Sequence, residues 1–240
     1  AIGWRWPLPV PISAALLGVA LAACGDGAGP STEWPAYGND PGGSRYSPLA
    51  QVDRSNVAAL ELAWSFSTGD AGHDPGMEQQ GACGDCHTGD SKFEATPILV
   101  DGRLFVSTPL NRIVALDPAS GRELWRFDPR VRTDIARSEG FVSRGVAHWP
   151  GDGSPGPCAQ RVYLGTIEAR LHAVDAESGR PCEDFGEGGT VRLDVGVGEV
   201  EDGMYGVTSP PAVVGDVVVV GSSMGDNRRV DMERGVVRGY

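Results

Sequence analysis

Apolar residues in this chain come in short runs separated by glycine, proline and acidic turn residues, with no sustained helical period after the first thirty or so positions. Runs of this kind predict strands over Thr96–Val100, Leu104–Ser107, Ile113–Leu116, Glu123–Phe127, Arg161–Gly165, Leu171–Val174, Pro211–Val214 and Val217–Gly221. Asp101-Gly102 and Gly215-Asp216 each separate two such runs at hairpin spacing. Ser55 to Trp64 predicts a capped helical turn running into a strand.

The pattern repeats. Arg112-Ile-Val-Ala-Leu-Asp-Pro-Ala-Ser-Gly-Arg122 returns without a gap as Arg170-Leu-His-Ala-Val-Asp-Ala-Glu-Ser-Gly-Arg180, 58 residues on. Each copy follows a strand-like run ending in Thr, at Thr108 and Thr166. Ala95–Thr108 also aligns on Ser209–Ser222, an offset of 114 and close to twice the period. Short antiparallel strands recurring at a fixed period describe propeller blades, here about three, so the fold class is all-β. A third copy begins with Val217-Val-Val-Val-Gly-Ser222 and Val236-Val-Arg-Gly-Tyr240, and the array is expected to continue past Tyr240.

Charge and cysteine usage narrow the class. A formal net charge of -12, without a Lys/Arg block, argues against a nucleic-acid surface. Arg5 followed by the apolar stretch Ile12–Ala23 and Leu21-Ala-Ala-Cys24 predicts an export signal over residues 1–23, too short to span a bilayer. Leu-Ala-Ala-Cys resembles the bacterial lipoprotein box, which makes Cys24 the lipidated residue; a signal cut after an ordinary small residue is the alternative. Residues 24–33 then form a flexible tether and 34–240 the folded part. Export implies a location in the periplasm, anchored to a membrane, where thiols tend to be paired or ligated.

Of five cysteines, Cys24 takes lipid, Cys83 and Cys86 form a close pair, and Cys158 and Cys182 remain, either joined in a disulfide or as two free buried thiols. Cys83-Gly-Asp-Cys86-His87 matches the attachment signature of haem c, in an insert over 77–91. A local disulfide or a metal site remain alternatives, and Met77 and His73 are candidate sixth ligands.

Ala115-x-Asp117-x-x-x-Gly121-x-x-x-Trp125 resembles the tryptophan-docking motif of pyrroloquinoline quinone (PQQ) dehydrogenases. In the second copy Glu183 stands where the Trp is due, so that blade is expected to be locked differently, with Cys182 beside it as a substitute. Trp34-Pro-Ala-Tyr-Gly, Arg45-Tyr-Ser-Pro-Leu, Asn56 to Gly69, Phe93-Glu-Ala-Thr-Pro97, Ser143-Arg-Gly-Val146, Val207-Thr-Ser-Pro-Pro211 and Gly221-Ser-Ser-x-x-Asp226-Asn227 are similar, in family order, to the quinoprotein alcohol and glucose dehydrogenases. Full-length members have eight blades, so the resemblance makes this chain their N-terminal portion.

The resemblance implies a cofactor site. PQQ carries three carboxylates and an ortho-quinone, and asks for a cation, hydrogen-bond donors and a divalent metal. Arg144 falls on the guanidinium position, and Glu94, Thr208, Ser223 and Gly225 on other cofactor-contacting positions. Asp226, with Asn227 beside it, falls on the ligand position for Ca²⁺ (or Mg²⁺), which prefer hard oxygen donors. Alcohol-oxidising members carry two adjacent cysteines shortly before the arginine; here those positions hold Ser138 and Glu139. With Cys158 and Cys182, that resembles the membrane-associated glucose dehydrogenase branch. The expected reaction is PQQ-dependent oxidation of a sugar or alcohol, glucose or a polyol favoured, with electrons passed to membrane quinone or a cytochrome c. The family's general base comes from a later blade, so no catalytic residue is expected in this chain. Alternatives from other classes are a cofactor-free propeller scaffold lipoprotein of the outer-membrane assembly type and a haem-bearing electron carrier.

Overall fold

A computed structural model describes residues 33–40, 42–70, 91–225 and 233–240. All belong to one compact unit, 31–240. The lipidation site Cys24, the insert residues Met77, Cys83, Cys86 and His87, and the metal candidates Asp226 and Asn227 lie outside the described residues, as does His73.

The described residues form β1 (Ser91–Phe93), β2 (Ile98–Val100), β3 (Arg103–Ser107), β4 (Ile113–Leu116), β5 (Glu123–Phe127), β6 (Phe141–Ser143), β7 (Ala147–Trp149) and β8 (Arg161–Gly165). Then follow β9 (Arg170–Asp175), β10 (Thr190–Arg192), β11 (Tyr205–Gly206), β12 (Ala212–Val214), β13 (Val217–Val220), β14 (Ser223–Met224) and β15 (Arg238–Gly239). Three antiparallel sheets are the blades, in orders β2-β3-β4-β5, β7-β8-β9-β10 and β12-β13-β15. Two short ladders connect them: β1 with β6 in parallel, and β11 with β14 antiparallel.

The central strand β4 is continuously apolar because it is buried on both faces. Successive side chains of a strand point to opposite sides. Thus Leu104, Val106, Val114 and Leu116 pack beneath Trp64 and Phe66, while Phe105, Ile113 and Ala115 face Val162, Leu164 and Val174 of the second blade. The second blade does the same, with Tyr163, Leu171 and Ala173 turned toward Tyr205, Val207, Val218 and Val220. Asp101 and Gly102, both at positive φ (47° and 69°), form the hairpin that the sequence predicts between β2 and β3.

Repetition extends to single hydrogen bonds. Asp117 N–H donates to Arg122 O and Gly121 N–H to Asp117 O; Asp175 with Arg180, and Gly179 with Asp175, form the same pair. In each turn the Asp Oδ1 accepts the N–H and hydroxyl of the serine three residues on.

Two expectations are corrected. The second blade does not lack its tryptophan, because the tryptophan comes from the preceding repeat. Trp125 lies over Gly179 and donates its indole N–H to Ala176 O (3.3 Å), just as Trp64 lies over Gly121 and donates to Pro118 O (3.0 Å). Glu183 therefore leaves its own blade docked and withholds a tryptophan from the next. Cys158 and Cys182 are disulfide-bonded, Cα–Cα 5.8 Å, and close the second blade on itself rather than substituting for a docking ring. Ser55 to Trp64 forms only a 3-10 turn, Val57–Ala59, with no side-chain cap and no strand after it. Asn56 Oδ1 instead accepts from Asp53 N–H, a turn that competes with helix.

Candidate cofactor site

Glu94, Arg144 and Thr208 occupy equivalent places, each just ahead of the first strand of successive blades, β2, β7 and β12. The backbone brings them side by side. Thr96 N–H donates to Arg144 O (3.1 Å) and Arg144 N–H donates to Thr208 O (2.9 Å), forming rungs across three blades. Gly145 makes the approach possible: at φ 149° its ideal Cβ would stand 3.3 Å from Thr96 O and 3.5 Å from Pro210.

The side chains converge on the arginine. Arg144 Nε pairs with Glu94 Oε2 at 3.0 Å, and Arg144 Nη1 donates to Thr208 Oγ1 at 2.6 Å. Thr208 is buried, whereas Arg144 and Glu94 keep 39% and 41% of their side chains exposed. The pair is thus held in place yet reachable from outside. Among the described residues Arg144 Nη2 meets no acceptor. That is the arrangement a carboxylate-bearing ligand needs: a guanidinium oriented by neighbours with one donor edge left over.

Ser223 lies opposite Gly206 on the β11–β14 ladder, two residues from Thr208, and Gly225 N–H continues that ladder to Met204 O (2.8 Å). Ser138, Glu139, Tyr205, Thr208 and Ser223 line one small cleft. A side chain at Gly225, just after β14, would strike Met204 Sδ and touch Ser138, so Ser138 packs close to the end of that strand. The described members of the expected cofactor set are therefore neighbours. Among the described residues no group of three or more His, Cys, Asp or Glu side chains could hold a metal ion. No helix among them is long and apolar enough to cross a membrane.

A cavity of about 650 Å³ lies elsewhere. It runs toward the far ends of the same first strands, where Tyr37, Asp101, His148, Gln160 and Gly215 line it. His148 Nε2 pairs with Gln160 Oε1 (3.0 Å), and burial lowers its pKa below the ordinary imidazole value. None of the described members of the expected site lines this cavity.

The motif reading overlooked Lys92, which reaches Glu139 O at 3.4 Å, and the buried pair of Asp70 with Arg112 (2.6 Å). Lys92 was legible as the sequence's single lysine, two positions before Glu94. Asp70 carried no comparable signal.

A family model for the PQQ β-propeller domain of glucose/ethanol/alcohol dehydrogenases matches residues 34–240. The chain belongs to the PQQ-dependent dehydrogenase propeller family. Within it, the chain is 34% identical over 222 residues to quinoprotein glucose dehydrogenase A of Acinetobacter calcoaceticus, covering 87% of this chain and 26% of that protein. It is 37% identical over 235 residues to the quinate/shikimate dehydrogenase (quinone) of Acinetobacter baylyi, covering 90% and 27%. Among solved structures, quinohemoprotein alcohol dehydrogenase from Comamonas testosteroni superposes with a TM-score of 0.64 at 28% identity, over 90% of this chain and 26% of the other. The chain thus spans about a quarter of these PQQ dehydrogenases. The chemistry of the donor set fits the family's cofactor: an oriented guanidinium for a carboxylate, with a threonine and a serine hydroxyl beside it.

Proposed function

We propose that this chain forms the cofactor-holding part of an exported PQQ-dependent dehydrogenase that oxidises a sugar, polyol or related alcohol. The observation that carries the reading is the convergence of Glu94, Arg144 and Thr208 from three successive blades. A propeller that serves only as a scaffold has no use for a half-exposed arginine held by a neighbour's hydroxyl and carboxylate.

In this reading Arg144 binds a cofactor carboxylate through its free edge. Glu94 and Thr208 hold the guanidinium plane and limit its rotation, so less entropy is lost when ligand arrives. Ser223 supplies a hydroxyl from the adjoining strand, and Gly225 keeps that wall thin. Asp226 and Asn227 would hold Ca²⁺ or Mg²⁺ as oxygen ligands. When bound, PQQ with its metal supplies a hydride-accepting quinone and a Lewis acid. No residue of this chain is assigned as the base that takes the substrate hydroxyl proton.

Cys24 is proposed as the lipidated residue, placing the protein at a membrane surface outside the cytoplasm, with membrane quinone or a cytochrome as electron acceptor. Ser138 and Glu139, in place of adjacent cysteines, favour glucose or another polyol. Cys83, Cys86 and His87 are proposed to carry haem c, a one-electron outlet for a two-electron donor. A pyridine haemochrome spectrum of the whole protein tests that part, and absence of the c-type band removes it.

The central test is equilibrium titration of the whole protein with PQQ in the presence of a Ca²⁺ salt. Saturable binding that Arg144→Lys weakens is expected. Binding that is absent, or indifferent to Arg144, overturns the reading.

A further inference from the structure

Lys92 is the only lysine in the sequence. It stands in the middle of β1, two residues before Glu94 and roughly 7 Å from it along an extended chain. β1 runs parallel to β6 with Lys92 opposite Val142, two residues ahead of Arg144, so the Lys92 level and the Glu94–Arg144 level follow one another along the same ladder. The residue is exposed, and its side chain's one hydrogen bond among the described residues is a 3.4 Å donation to Glu139 O. Glu139 lines the same cleft as Thr208 and Ser223, and Thr208 holds Arg144. Two cations are therefore bonded to residues that line this cleft, each with donors that meet no acceptor among the described residues.

We propose that Lys92 binds a carboxylate in this site, as a second cation beside Arg144. A compact ammonium on a flexible stem suits a carboxylate whose position differs from the one the rigid guanidinium fork meets. The proposal rests on the PQQ reading above, and two sources can supply the group: a carboxylate of PQQ, or that of a hydroxy-acid substrate.

Amine acetylation followed by peptide mass spectrometry reads this position, because Lys92 is the single lysine of residues 1–240 and its peptide is distinguished by mass. The whole protein is labelled with limiting N-acetoxysuccinimide alone, with PQQ and a Ca²⁺ salt, and with quinate added to the PQQ-loaded protein; PQQ binding is titrated in parallel by its absorbance. PQQ is expected to slow acetylation of Lys92 about tenfold, Lys92→Met to weaken PQQ binding by about the same factor, and Lys92→Arg to restore it. Protection that appears only with quinate supports the proposal and assigns the carboxylate to the substrate. PQQ that binds while acetylation is unchanged by either ligand overturns the proposal and leaves the cofactor reading standing. PQQ that does not bind at all overturns both.

Discussion

Trp125 lies on Gly179 of the following repeat: the ring carbon Cε3 is 2.5 Å from where a Cβ on that glycine would stand. The glycine is also at φ 71°, so it is required twice, for the space and for the backbone. The link is directional, since each tryptophan serves the next blade, and Trp64 on Gly121 starts the series. Blades docked in this way present the starts of their first strands in order, which is where Glu94, Arg144 and Thr208 stand.

Gly179→Ala is therefore expected to destabilise the fold by about 1–3 kcal/mol through overpacking and backbone strain. Urea unfolding checks it. Ser178→Ala, which loses an exposed turn hydroxyl that donates to Asp175 and accepts a long bond from Arg180 N–H, should cost well under half as much.

The Cys158–Cys182 disulfide closes a loop with a sequence separation of 24 that includes all of β8 and β9. Cross-linking a loop of that size restricts the unfolded chain, and replacing both cysteines by alanine should cost about 3 kcal/mol. Matched denaturation curves with and without reductant measure the same quantity. Reduction should leave the Cys158→Ala/Cys182→Ala variant unaffected.

Arg144 and Thr208 act as a pair. Thr208→Val keeps the shape but removes the acceptor for Arg144 Nη1, and should weaken PQQ binding about 3- to 10-fold. Arg144→Lys keeps the charge but loses the fork, and should weaken it about 10- to 100-fold. A double variant no worse than Arg144→Lys alone would show that Thr208 works through the arginine.

His172 crosses a blade junction, its ring 5.3 Å from that of Phe127 and Nδ1 3.0 Å from Thr190 Oγ1. Burial, with Arg170 adding to it, pushes its pKa down from 6.5 to about 4. The folded state thus holds the neutral ring, while the unfolded chain takes up a proton below pH 6.5. This contribution is full above pH 6.5 and is lost as pH falls toward 4, amounting to about 2–4 kcal/mol. Melting temperature measured across that window should fall with acidity, and His172→Gln should flatten the fall.

Asp70 is buried, with its carboxylate between Arg112 Nη1 (2.6 Å) and Leu110 N–H (2.9 Å). Asp70→Ala leaves both donors without that acceptor and should cost about 2–4 kcal/mol. Arg112 keeps its partner Asp128, so Asp128→Ala, at the exposed end, should cost less than about 1 kcal/mol. Urea unfolding of the two variants gives the comparison.

Much of the fold was legible in single segments. Ile113–Leu116, Glu123–Phe127 and Arg161–Gly165 are strands with the predicted bounds, because each run is short enough to exclude a helix and is closed off by turn residues; only Ile113–Leu116 is buried and apolar throughout. β6, β7, β11 and β14 were not legible; each has only two or three residues, and some are small or polar. β1 and β6 pair over a distance of fifty residues, a relation that local pattern does not carry. The docking of Trp125 was misread for a related reason, since the motif fits within one repeat while the contact joins two.

The amino-acid sequence alone determined the blade period, the turn chemistry of Asp117 and Asp175, and the residue types available to a quinone site, because these depend on neighbours a few positions apart. The tertiary structure decided which tryptophan meets which glycine, and that Arg144 is held by a carboxylate fifty residues before it and a hydroxyl sixty-four residues after it. Those are contacts between blades. They exist only once burying both faces of each blade has brought three distant segments into register.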